Sequence, residues 1–192
     1  GTYDTHGRSR EGGCSTYLSD RVNGDGTVPV FFQPAAHFKL PVDKATDVIM
    51  CGPGTGIAPF RACLEEREAT EAGGRNWLFF GNPHESTDFL YKEQLLAQKE
   101  TGVLNRLDLA WSRDGDTKVY VQDKMREEGE EMWKWLNGGA HFYVCGDAKR
   151  MAKDVDAALH HIAATHGGLG EDGAKDFINQ LKKEKRYQRD VY

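Results

Sequence analysis

The chain has 192 residues, of which 29% are charged and 39% hydrophobic, and a formal net charge of −5. That length buries one good core and a fragment of a second. The acidic balance excludes a general nucleic-acid binder, which needs a basic face, and no apolar run reaches the roughly 18 residues of a membrane span. No signal peptide is visible. The first residue is not Met, and a longer parent protein is expected. Cys14, Cys51, Cys63 and Cys145 form no Cys-x-x-Cys pair. Zinc and dithiol chemistry are therefore unsupported, and reduced thiols in a cytoplasmic protein are expected.

Residues 1–43 are rich in Gly, Thr and polar side chains, hold one strand-like run, TVPVFF (27–32), and close on FKLP. From Asp47 onward the pattern changes to short apolar runs alternating with helical stretches. The predicted strands are DVIMC (47–51), WLFFG (77–81), LDLAW (107–111) and HFYVCG (141–146). Helices are predicted near 57–72, 88–100, 121–136 and 148–165. In the last of these, Met151, Val155, Leu159 and Ile162 fall on one stripe. Near-continuous apolar strands separated by helices predict a parallel sheet covered on both faces.

The first predicted strand runs into GPGTGIAPF (52–60). Gly52, Gly54 and Gly56 permit a tight turn and close approach of a ligand, and Pro59 suits the first turn of a helix. The amides and dipole at that helix start attract an anion such as a pyrophosphate, with Gly54, Thr55 and Gly56 as its cradle. The spacing is not the dinucleotide fingerprint G-x-G-x-x-G, so a plain strand-to-helix turn stands beside the phosphate reading. Arg61, one turn into the helix, reads as structural.

The third predicted strand delivers SRDGDTKVYVQ (112–122) to the edge where open α/β sheets bind ligands. Ser112, Arg113 and Lys118 suit a phosphate monoester, which carries about −1.5 to −2 charge near neutral pH. Tyr120 could stack on a purine. The 2′-phosphate and adenine of NADPH fit this set, whereas an NAD site would place an acid on the ribose. Two charge-assisted hydrogen bonds would separate NADPH from NADH by roughly two to four decades. The competing reading is a solvated charged loop.

Four stretches then stand in a telling order: IMCGPGTGIAPFRACLEER (49–67), LFFGNPHESTDFLYKEQL (78–95), WSRDGDTKVYVQ (111–122) and FYVCGDAKRMAKDV (142–155). Together they resemble the NADP-binding module of the diflavin reductases, a ferredoxin–NADP reductase-like family, over essentially the whole chain. GNP (81–83) and the terminal Tyr192 resemble the bacterial sulfite reductase branch. The resemblance implies an α/β fold with a five-stranded parallel sheet and helices on both faces. It also implies that residues 1–43 are the C-terminal portion of a β-barrel FAD-binding domain and residues 44–192 the NADP-binding domain.

The resemblance further implies roles. Ser112 and Arg113, with Lys118, Val119, Tyr120, Val121 and Gln122, match the family's 2′-phosphate and adenine contacts, and Asp154 matches another NADP contact. Gly12, Gly13, Cys14, Ser15 and Thr16 match the loop that holds the FAD pyrophosphate, and Tyr3 an aromatic beside the flavin. Cys145 matches a cysteine near the nicotinamide and Asp190 a carboxylate that stabilises its positive charge. Tyr192 matches the terminal aromatic stacked on the flavin ring. The implied activity is hydride transfer from NADPH to FAD. Electrons would then pass through FMN on a flavodoxin-like domain to a sulfite reductase haemoprotein subunit. A reductase arm for nitrate reductase or another haem protein, or an NADP(H)-binding module without turnover, are the alternatives. The family's flavin-contacting Arg-x-Tyr-Ser strand and its FMN domain are not in these 192 residues.

Overall fold

The computed structural model describes residues 2–22, 24, 26–31 and 37–192, without the side chains of Thr2 and Tyr3. The chain divides into two compact units, residues 1–35 and 36–192.

In the smaller unit, β1 (Thr2–Thr5) pairs antiparallel with β2 (Arg8–Glu11). The two-residue turn between them, His6 at φ 51 and Gly7 at φ 70, has both residues left-handed. That is the geometry whose twist matches a hairpin. A short helix, α1 (Gly13–Thr16), runs into a π-helical turn at Tyr17–Arg21. The expected strand at 27–32 is not present over residues 27–31, where Pro29 removes a ladder donor. Phe32 lies outside the described residues.

The larger unit begins its sheet with β3 (Val48–Cys51), followed by a 3₁₀ turn at Gly54–Ile57 and α2 (Ala58–Ala69). Next come β4 (Asn76–Asn82), α3 (Glu85–Asp88), α4 (Lys92–Glu100) and β5 (Arg106–Trp111). Then follow α5 (Val121–Glu127), α6 (Gly129–Asn137) and β6 (His141–Gly146). The chain finishes with α7 (Met151–Thr165), α8 (Gly170–Lys183) and β7 (Tyr187–Val191). The five strands are all parallel, in the order β5-β4-β3-β6-β7.

Alternation along the strands feeds two cores. Val48 and Met50 of β3 join Phe60 and Leu64 of α2 and Leu95 of α4 on one face. Ile49 and Cys51 join Met125, Trp135, Leu159 and Ile178 of α5 to α8 on the other. Successive strand side chains point to opposite faces, so a strand buried on both sides must be apolar throughout. The five-stranded parallel sheet with helices on both faces is therefore the fold expected from the sequence.

Three details depart from the sequence expectation. The helix expected over 121–136 is two helices meeting at Glu128 and Gly129, where a side chain on Gly129 would strike the His166 ring. The helix expected over 88–100 is broken at Tyr91, which sits left-handed at φ 57. The Arg61 guanidinium covers that ring at 4.8 Å while its Nε donates to Gln94 Oε1 at 2.7 Å. Finally, α8 and β7 had no sequence counterpart. Residues 38–40 run along the larger unit, since the Phe38 ring lies 5.4 Å from that of Tyr143, whose hydroxyl donates to the Lys39 carbonyl at 2.8 Å.

Candidate functional site

From β3 the chain moves outward on one side to β4 and β5, then crosses to β6 on the other side of β3. Reversal of direction at β3 and β6 opens a crevice beyond their carboxyl ends, where doubly wound sheets take ligands. The loop after β3 fills it. Gly52 N–H donates to the Phe79 carbonyl at 3.0 Å, and Gly56 N–H to Pro53 at 3.1 Å. Gly54 is left-handed at φ +58. Gly56 packs directly on the Cys145 carbonyl, so even one methyl group there would overlap backbone. The loop thus lies bare, between two strand ends, at the start of the helical run into α2.

A cleft of about 440 Å³ extends from this loop. Pro53 and Gly54 line one part, Ser112, Tyr120 and Gln122 another, and Arg150, just before α7, with Asp154 of α7 a third. The β4–β5 ladder continues past β5: Ser112 N–H donates to Asn82 O at 3.1 Å and Arg113 N–H to Pro83 O at 2.9 Å. Val121 is buried and Val119 packs against the same core, and both line the cleft together with Tyr120 and Gln122. Tyr120 N–H bonds Asp123 Oδ2 at 2.9 Å, closing the first turn of α5. Arg113 and Lys118 are exposed, do not line the cleft, and have no ion-pair partner among the described residues. Arg150 is a lining cation that the sequence reading passed over. It lies four residues before Asp154, the spacing that puts two side chains on one helical face.

Asp147 caps α7. Its carboxylate accepts from the Arg150 and Met151 amides at 2.8 and 3.2 Å. Those backbone hydrogen bonds, with one from Lys149, hold its pKa below the usual carboxylate range.

The carboxyl end of the chain joins this site. Cys145 and Asp190 are register partners across β6 and β7. Burial pushes the Cys145 thiol up to about 11, and the Asp190 charge adds to the effect. Cys63 is likewise pushed up to about 11 by burial, and Cys51 is raised for the same reason. These groups stay protonated near neutral pH, where the thiolate is the nucleophile. Brief iodoacetamide treatment at neutral pH should therefore label exposed Cys14 first, with Cys145 labelling accelerating only as the pH rises toward 11. Peptide mass mapping reads the order.

Tyr192 is tied at three points. Its N–H donates to Gly146 O at 3.1 Å, and its carbonyl accepts from Ala148 N–H at 3.0 Å. Its phenol oxygen lies 2.8 Å from Thr55 Oγ1 in the phosphate loop. The ring itself is 70% exposed, so the hydroxyl holds it rather than burial.

In the smaller unit, Gly12 is the cap of α1 and offers no side-chain bond, while Thr16 is buried with its hydroxyl donating to Gly12 O at 2.5 Å. Gly13, Cys14 and Ser15 stand exposed along that turn. Tyr3 pairs with Arg10 across the hairpin, and its side chain lies outside the described residues.

Residues 41–157 match the oxidoreductase NAD-binding domain. The chain belongs to that family. The sulfite reductase [NADPH] flavoprotein alpha-component of Escherichia coli K12 is 57% identical over 190 residues, covering 99% of this chain and 32% of that protein. The same component from Shigella dysenteriae serotype 1 gives the same identity and coverage, and that of Escherichia coli O1:K1 is 56% identical. The chain thus spans about a third of the length of these curated relatives, 32% in each case. The expected kinship with ferredoxin reductase-like flavoproteins is borne out. Among the described residues, no helix is long and apolar enough to cross a membrane.

Proposed function

We propose that this chain is the dinucleotide-binding module of an NADPH-dependent sulfite reductase flavoprotein, with residues 1–43 the end of its FAD-binding domain and 44–192 its NADP-binding domain. The observation that carries the reading is the single cleft joining the bare glycine loop at Pro53–Gly54 to Ser112, Tyr120 and Gln122. The 57% identity to proteins named for NADPH and sulfite reductase supports it.

The residues present fit a dinucleotide. The loop glycines clear space against strand backbone, and the helix start beyond them favours an anion. Tyr120, 44% exposed at the cleft edge, offers a ring face for adenine. Ser112 presents a hydroxyl in the cleft, and the exposed guanidinium and ammonium of Arg113 and Lys118, outside its lining, are assigned to the ribose phosphate. Arg150 supplies a further cation in the cleft itself. Cys145 and Asp190, register partners at the strand ends, are assigned to the nicotinamide end of the ligand, where Asp190 would offset positive charge. Gly12, Gly13, Cys14, Ser15 and Thr16, with Tyr3, are assigned to FAD.

When bound, NADPH supplies a hydride, and FAD with FMN on a flavodoxin-like domain carries the electrons to a sulfite reductase haemoprotein subunit. The free thiols of all four cysteines support a cytoplasmic setting.

Calorimetric titration tests the binding step. NADP⁺ should bind roughly two to four decades more tightly than NAD⁺. Equal affinities, or no binding, would refute the assignment. Flavin absorbance after addition of FAD separates an enzyme module from a bare NADP(H) binder.

Tyr192 competes with the ligand for Thr55. Deleting it frees the loop hydroxyl and uncovers the nicotinamide end, and should tighten NAD⁺ binding by up to about tenfold, the worth of one net hydrogen bond. Tyr192→Phe should recover the part owed to the hydroxyl alone. Unchanged NAD⁺ affinity in both would remove the competition.

A further inference from the structure

The GNP stretch at 81–83 lines the cleft, and neither it nor the residue after it, His84, has an assigned role there. Gly81 and Asn82 end β4, and Pro83 and His84 lead out of it, beside the loop leaving β5 that carries Ser112 and Arg113. Two backbone bonds already join these loops, from Ser112 to Asn82 and from Arg113 to Pro83. Asp114 then adds a two-pronged clamp. Its Oδ1 lies 2.7 Å from His84 Nδ1, and its Oδ2 accepts the Glu85 N–H at 2.8 Å.

The anchor that Asp114 grips is itself braced. Asp88 Oδ2 accepts the His84 N–H at 3.0 Å, and the Asp88 carbonyl accepts from Asn82 Nδ2 at 2.7 Å. Arg113 is therefore fixed on both sides, by its own N–H and by the next side chain, while its guanidinium stays exposed. Beyond the clamp come Gly115 and Asp116, which have no comparable clamp among the described residues. A cation meant to meet a phosphate binds better when its backbone is ordered beforehand, because less freedom is lost on binding.

Resting on the NADPH reading, we infer that Asp114 is a positioning residue for selection of the 2′-phosphate, acting through the His84 clamp on the placement of Arg113 and Ser112. Electrostatics and positioning make opposite demands here. Asp114 is an anion next to the residue assigned to an anionic ligand, so removing its charge alone should tighten binding. Removing the clamp should weaken it.

The test is calorimetric titration of the chain and its variants with 2′,5′-ADP and with 5′-ADP, with folding checked by circular dichroism. Asp114→Ala should weaken 2′,5′-ADP by about tenfold and leave 5′-ADP unchanged. His84→Ala should act in the same direction, and the double variant should be no worse than Asp114→Ala, because one clamp is lost once. Asp114→Asn, whose amide keeps both contacts while dropping the charge, should bind 2′,5′-ADP at least as well as the unaltered chain. If Asp114→Ala does not fold, His84→Ala and Asp114→Asn carry the comparison. Alanine variants that bind 2′,5′-ADP undiminished, or that lose both ligands equally, overturn the inference and leave the NADPH reading standing. An unaltered chain that does not prefer 2′,5′-ADP overturns the NADPH reading itself, and the inference with it.

Discussion

Gly56→Ala is expected to lower the unfolding free energy by roughly 1–3 kcal/mol, the usual range for overpacking, and to abolish dinucleotide binding. The added methyl would overlap the Cys145 carbonyl, with the Cys145 carbonyl carbon at 2.8 Å and Gly146 Cα at 3.3 Å. These are backbone atoms of β6, held in the sheet between β3 and β7, so no rotamer change relieves the contact. The loop must lift away from the strand, and the cradle of amides loses its shape. Gly73→Ala is the control, since a side chain there meets nothing within 4 Å and the backbone is not left-handed. Denaturant unfolding and NADP⁺ titration of both variants measure the contrast. A Gly56→Ala chain as stable as the unaltered one, and still binding NADP⁺, would show that the loop has slack that its packing denies.

The same packing explains what could be read from sequence. Strands β3, β4 and β6 are buried on both faces, so they are written as unbroken apolar runs, and the glycine loop after β3 announces its own turn. β7 carries no such mark. Only Tyr187 of its residues is buried, while Gln188, Arg189 and Asp190 look like tail. Its place in the sheet rests on main-chain bonds to β6, which side-chain chemistry does not reveal. α8 was legible in principle: Ala174, Ile178 and Leu181 fall at helical spacing and are buried. Contacts over long separations were not legible at all. Thr55 and Tyr192 are 137 residues apart, and His84 and Asp114 are 30 apart. Each pair is brought together by the parallel sheet, which gathers its strand ends along one edge. The Ser112–Gln122 stretch reads from sequence as a candidate ligand segment, but that Val119 and Val121 serve the core and the cleft at once, beside Tyr120 and Gln122, needed the packing.

Arg113→Ala is expected to weaken NADPH binding by about 2 kcal/mol, or some thirtyfold, and to leave NADH nearly unchanged. The side chain is exposed and unpaired among the described residues, so its removal breaks no ion pair of the fold and stability should hold within about 0.5 kcal/mol. Because its N–H to Pro83 O bond is main-chain, the alanine variant keeps the loop in place, and any loss belongs to the guanidinium. Arg113→Lys separates charge from geometry. An ammonium keeps the attraction but not the two-pronged fork that matches a phosphate, so its affinity should fall between the two. The comparison with NADH decides what the guanidinium meets. NADH has a hydroxyl where NADPH has a dianionic ester, and every other group of the two ligands is shared. A selective loss therefore locates the 2′-phosphate at Arg113. Equal losses for both ligands would move Arg113 to the pyrophosphate that they have in common, and would leave Arg150, inside the cleft, as the cation to test against the ester.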